Sequence, residues 1–203
     1  MIIIINYNMG NLNSISNMLR KIGFESKISS DYKEIERADK LILPGVGAFD
    51  KGISNLREIG IIDAVKERVL IKKIPILGIC LGMQLMTKKS EEGVLEGLSL
   101  IDAETKKFIL DDNYKIPHMG WNTVKLEKSS LVLKDMENQE NRFYFVHSYY
   151  VKCFNKDDIL CSTQYGLTFT SMFEHENIIG AQFHPEKSHK FGMQLLKNFL
   201  EYY

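Results

Sequence analysis

Ile74-Pro75-Ile76-Leu77-Gly78-Ile79-Cys80-Leu81-Gly82-Met83-Gln84 carries a short apolar run straight into a helical one across two glycines. A run of that length reads as a strand buried on both faces, and Gly82 to Lys89 reads as the helix it feeds. The same alternation recurs on the N-terminal side. Ile2–Ile5 reads as a strand, followed by a helix with Leu12, Ile15, Leu19 and Ile22 at helical spacing and a stop at Gly23. Leu41-Ile42-Leu43 is another strand, halted by Pro44-Gly45-Val46-Gly47, with helices expected over Asp50–Arg57 and Ile61–Val69. Strands alternating with helices predict a parallel sheet covered on both faces. Towards the C-terminus the pattern changes. Asn122–Leu126, Arg142–Val146, Asp158–Thr163, Leu167–Phe173 and Ile178–Phe183 are β-branched or aromatic and separated by turn residues, which predicts antiparallel additions. Phe191, Leu195, Leu196, Phe199 and Leu200 form the apolar stripe of a closing helix. The expected fold is α/β, one domain over residues 1–203 with an open, mostly parallel sheet, helices on both faces and antiparallel additions in the C-terminal half.

The 203 residues include 26 basic and 26 acidic side chains, a balance that lacks the footprint of a dedicated nucleic-acid binder. No apolar run approaches the ~18 residues of a membrane helix, and Ile2–Ile5 has neither the basic flank nor the cleavage site of a signal peptide. Cys80, Cys153 and Cys161 are an odd count without metal-ligand spacing, so the expectation is a cytoplasmic protein with no metal and no cofactor.

Gly78-Ile79-Cys80-Leu81-Gly82 is a G-x-nucleophile-x-G elbow with cysteine as the nucleophile. The glycines leave room for an abrupt strand-to-helix turn that lifts the sulfur above the sheet. The helix N-terminus favours a thiolate there, and the Leu81 N–H is aimed at an oxyanion formed beside it. By itself the pentapeptide fits equally well a buried cysteine between two turn glycines. His184-Pro185-Glu186 supplies a base and its orienter after a strand, with both side chains on one side of extended backbone. Both motifs fall at carboxyl ends of strands, where open α/β folds place ligands. Pro44-Gly45-Val46-Gly47 offers a second oxyanion donor on a backbone able to flip a peptide plane, and is otherwise a plain turn.

In this order, the elbow followed much later by His-x-Glu resembles the class I glutamine amidotransferases, flavodoxin-like enzymes, across essentially the whole chain. The likeness is closest to their HisH family, the glutaminase subunits of imidazole glycerol phosphate synthase. It rests on Tyr7-Asn8-Met9-Gly10-Asn11-Leu12, Pro44–Phe49, Gly78–Gln84, Pro117-His118-Met119-Gly120-Trp121-Asn122, Tyr144–Tyr149 and Gln182–Ser188, with Asn8 where a glycine is usual. The resemblance implies Cys80 as nucleophile, His184 as acid/base and Glu186 as its orienter. It implies Gly45, Val46, Gly47 and Leu81 at the oxyanion, and Gln84, Ser148 and Tyr149 at L-glutamine. Asn11, His118, Met119, Trp121 and Lys187 would face a partner, a (β/α)₈-barrel cyclase in a heterodimer that takes up the ammonia for histidine biosynthesis. For His118 and Trp121 a turn or core role stays open. Three other readings remain: a paralogue supplying ammonia for amidino-sugar formation, a cysteine peptidase, and a catalytically silent scaffold.

Overall fold

The sheet is central because its strands are apolar on both sides. The computed structural model describes residues 1–137 and 139–203. In chain order the elements are β1 (Ile2–Ile5), α1 (Leu12–Lys21), β2 (Ser26–Ser29), α2 (Tyr32–Glu36), β3 (Lys40–Gly45), α3 (Phe49–Glu58), α4 (Ile62–Lys66), β4 (Ile76–Cys80) and α5 (Leu81–Leu85). Then follow β5 (Ala103–Lys107), β6 (His118–Leu126), β7 (Asn141–His147), β8 (Tyr149–Cys153), β9 (Ile159–Tyr165), β10 (Leu167–His175), β11 (Ile178–Ala181) and α6 (His189–Tyr202). The strand order is β2-β1-β3-β4-β11-β10-β9-β6-β7, with β8 pairing β10 and β5. The block from β2 to β11 is parallel, and every pairing beyond it is antiparallel.

Alternate residues of each parallel strand feed opposite layers. Ile3, Ile5, Leu41, Leu43, Ile76 and Ile178 join one core with Ile53 and Leu56 of α3. Ile4, Ile42, Leu77, Ile79 and Ile179 join the other with Ile15 and Leu19 of α1 and Leu195 and Phe199 of α6. These strands therefore read as unbroken aliphatic runs.

The structure departs from the sequence reading at several ends. α5 stops at Leu85 rather than running to Lys89, because the returning chain occupies its last carbonyls: Leu98 N–H bonds Leu85 and Leu100 N–H bonds Met86. The helix expected over Ile61–Val69 covers Ile62–Lys66 and then widens into a π-helical turn, Glu67–Ile71. β11 ends at Ala181, before the expected Phe183, because its partner β4 turns into the elbow one residue later. The unanticipated β2, α2, β5 and β8 are short, and β5 is polar outward. Glu104 and Lys106 of β5 pair with each other and with Lys89 and Glu91 respectively.

Candidate active site

The parallel block delivers three chain ends to one place. Gly45, ending β3, is in register with Cys80, ending β4, and β11 lies on the other side of β4. Cys80 has φ +53° and ψ −110°, a conformation that costs a non-glycine residue about 1–3 kcal/mol and that close packing must enforce. Gly82 lets α5 turn hard against β3, since a Cβ there would lie 1.7 Å from the Leu43 carbonyl oxygen. Gly45 accommodates Tyr7 in the same way: a Cβ would stand 2.2 Å from the phenol oxygen, which donates to the Pro44 carbonyl at 2.6 Å. Burial, reinforced by Cys80, pushes the Tyr7 phenol well up, so it stays a donor.

Cys80 is 6% exposed, and its sulfur faces the Val146 carbonyl at 3.9 Å. Beyond β11, His184 Nδ1 donates to Glu186 Oε1 at 2.8 Å, with both side chains buried. The extended geometry expected for this pair holds only at His184. Pro185–Lys187 closes into a 3-10 turn, and that turn brings Glu186 back onto the ring. Ser188 fixes it, its hydroxyl donating to the His184 carbonyl at 2.6 Å and accepting the Tyr144 N–H at 3.0 Å. His184 Nε2 makes no aligned hydrogen bond and remains free for chemistry. Burial alone would depress this imidazole, but the adjacent Cys80 and Glu186 prevail and raise it to about 9. With five residues, α5 supplies the Leu81 N–H but only a short dipole, less than the helix to Lys89 would have lent.

A pocket of about 160 Å³ opens at the sulfur, lined by Val46, Gly47, Cys80, Leu81, Gln84, Glu92, Val146, His147, Ser148 and Tyr149. Gln84, Ser148 and Tyr149 are thus together at the sulfur, as are Val46, Gly47 and Leu81. Gly45 sits behind the wall as packing. A larger cavity of about 450 Å³ against β9 and β10 is lined by Glu127, Lys128, Lys156 and their neighbours and contains no cysteine or histidine. Glu92 was not anticipated. It lies in the polar stretch Lys88–Gly93, and its carboxylate accepts the Phe49 N–H at the start of α3 at 2.9 Å while lining the pocket. Gln182 and Ser188 were legible as parts of a motif but not as individual roles.

Of the residues expected at a partner face, Met119 and Trp121 are 61% and 41% exposed. Trp121 lies parallel to the His189 ring at 5.6 Å, and the Lys187 ammonium sits over Tyr144. Asn11 is exposed and accepts the Ser14 N–H as the cap of α1. His118 corrects the expectation. It is 2% exposed because its side of β6 faces inward, where it stacks on Phe145 and Tyr165 and bonds His147, so it offers no free contact surface. Among the described residues no helix is long and apolar enough to cross a membrane.

The glutamine amidotransferase class-I family model matches residues 3–202. Over 201 residues, covering 99% of each chain, this chain is 55% identical to imidazole glycerol phosphate synthase subunit HisH 2 of Methanococcus maripaludis. It is 50% identical to subunit HisH 2 of Pseudomonas aeruginosa, again with 99% of each chain covered. Among solved structures, a glutamine amidotransferase superposes with a TM-score of 0.75 at 19% identity, covering 98% of this chain and 97% of that one. PurLQS from Thermotoga maritima does so with 0.75 at 16% identity, covering 99% and 97%. At those identities the structural likeness concerns the fold.

Proposed function

The chain belongs to the class I glutamine amidotransferases, and from that premise we propose that it is the glutaminase subunit of an imidazole glycerol phosphate synthase. It hydrolyses L-glutamine to glutamate and ammonia for use in histidine biosynthesis. The observation that carries the reading is the left-handed Cys80 at the end of β4, opening on the pocket next to a buried imidazole that Glu186 steadies.

The chemistry follows from these groups. Cys80 gives its proton to His184 Nε2, and the thiolate adds to the carboxamide carbon of glutamine. The Leu81 N–H and an N–H of the Val46–Gly47 turn meet the oxyanion, each such donor being worth about 10²–10³-fold in turnover. The His184 imidazolium protonates the departing amine, leaving a γ-glutamyl thioester, then draws a proton from the water that cleaves it. Glu186 holds the Nδ1–H tautomer throughout. Glu92 supplies negative charge for the substrate ammonium, while Gln84, Ser148 and Tyr149 orient the rest.

The ammonia is consumed by a separate (β/α)₈-barrel cyclase, docked as a heterodimer on the face bearing Asn11, Met119, Trp121 and Lys187. Met119 and Trp121 are large apolar side chains left in water on the isolated chain, which supports that surface. Ammonia released from glutamine should be measured for the parent and Cys80→Ala, each with and without the cyclase. Substantial turnover by Cys80→Ala removes the reading. The numerals in the relatives' names distinguish more than one such subunit and favour one second reading, a paralogue feeding ammonia to amidino-sugar formation. Failure to rescue an auxotroph that lacks its histidine-pathway glutaminase selects it.

A further inference from the structure

Next to the triad lie two buried glutamine amides whose polarity the structure determines. The Tyr149 carbonyl can only accept, and Gln84 Nε2 lies 3.0 Å from it, so that atom is the amide nitrogen. Its second N–H meets Gln182 Oε1 at 3.0 Å. The oxygen of Gln182 is therefore occupied, and its NH₂ faces Cys80 Sγ at 3.8 Å. His147 Nδ1 donates to the same Tyr149 carbonyl at 2.8 Å, which holds the start of this chain in place.

Sheet register accounts for the placement. Ala181 is level with Ile79, so the next residue, Gln182, arrives level with Cys80. Gln182 is 0% exposed, in a neighbourhood where an aliphatic side chain would fill the space without having to satisfy an amide. What the glutamine adds is a donor directed at sulfur.

We propose that Gln182 is a catalytic residue of the reaction proposed above, its side-chain N–H donating to the Cys80 sulfur and favouring thiolate over thiol. A neutral thiol is a weak acceptor and gains little from such a donor, whereas a thiolate accepts a charge-assisted bond. The contact thus acts twice. It raises the nucleophilic fraction when His184 takes the proton, and it receives the sulfur again when water cleaves the thioester and the S–C bond breaks with its electron pair on sulfur. The thiolate part stands without the glutaminase reading, and only the name of the reaction rests on it.

The test is the pH profile of iodoacetamide alkylation on the full chain, without glutamine, for the parent, Gln182→Met and Gln182→Asn. Asparagine keeps the amide but withdraws it by one methylene. Burial pushes the Cys153 thiol up to about 12 and the Cys161 thiol higher still, so in the folded chain labelling reports Cys80. Label on those two cysteines identifies a variant that has unfolded, and the other variant then carries the comparison. The expected result is a midpoint moved up by about one pH unit in the folded variants, with the acid limb of glutamine turnover moving alongside. Profiles that superimpose on the parent's, even with a lowered melting temperature, overturn the proposal and leave Gln182 a packing residue. A shifted midpoint in a chain that turns over no glutamine even with the cyclase present keeps the donor and removes the glutaminase reading instead.

Discussion

Lowering the pH from 7.5 to 5 should weaken the fold through two histidines before most carboxylates titrate. His118 and His147 sit among Phe108, Phe145, Tyr165 and Phe169. Their hydrogen bonds run in one sense. Asn122 donates to His118 Nε2 at 3.2 Å, His118 Nδ1 to His147 Nε2 at 2.9 Å, and His147 Nδ1 to the Tyr149 carbonyl. Every ring nitrogen is used in the neutral state, and an added proton finds no acceptor. Burial pushes His118 down from 6.5 to about 4, and burial with the nearby His118 and His184 pushes His147 to about 3 against the pull of its backbone bond. Both folded values lie below the unfolded one, so the folded chain binds fewer protons. The stability involved is whole above 6.5 and is lost as pH falls towards the folded values. At pH 5, one and a half units below 6.5 at 1.36 kcal/mol each, each ring costs about 2 kcal/mol, about 4 for the pair. That is a large share of the ~5–15 kcal/mol typical of a domain. His184 has the opposite sign: raised to about 9, it gains stability as pH falls from 7.5 to 6.5 and is complete below that, in parent and double variant alike. Urea unfolding at pH 7.5, 6 and 5 on the parent and on His118→Phe/His147→Gln measures the effect. The parent should lose about 4 kcal/mol more than the double variant. An equal loss in both refutes the argument.

Three further outcomes are expected. Glu186→Gln leaves an acceptor for His184 Nδ1 but removes the charge that stabilises the imidazolium, so kcat should fall by about 10²-fold or more with KM little changed, read by steady-state glutaminase assay. Ser188→Ala deletes both hydroxyl bonds that brace the 3-10 turn, at 2.6 and 3.0 Å, and keeps its backbone bonds. It should cost about 1–3 kcal/mol in denaturant unfolding and lower kcat more than stability alone explains. Gly82→Ala drives a Cβ into the Leu43 carbonyl, so helix and strand must part. Loss of the cooperative thermal transition, or a midpoint lower by about 10 °C or more, is expected.

The parallel half was legible because strands buried on both faces leave continuous aliphatic runs, as at Ile2–Ile5 and Ile76–Ile79. The elbow was legible because only glycine permits the approach seen at Gly82. Edge strands such as Ser26–Ser29 and Ala103–Lys107 were not, since they bury half their side chains or fewer and their charged residues read as loop. The end of α5 escaped because the carbonyls of Leu85 and Met86 are taken by residues a dozen or more places on, which no local pattern encodes. Glu92 escaped for a similar reason: only tertiary folding brings it from a charge-rich stretch to the sulfur. The placement of Glu186 followed from its type and neighbours, but by a 3-10 turn rather than by extended backbone.

The Tyr7 phenol clamps the carbonyl of Pro44, and Gly45 is wedged between that ring and Leu81. Any rotation of a peptide plane in the segment that meets the oxyanion must therefore begin downstream of this anchor, at the units flanking Val46. Val46 is also the residue whose side chain stands half in solvent on the rim. Turning one of those two units would reorient a donor while the strand behind it stayed still, a movement no larger than a single amide.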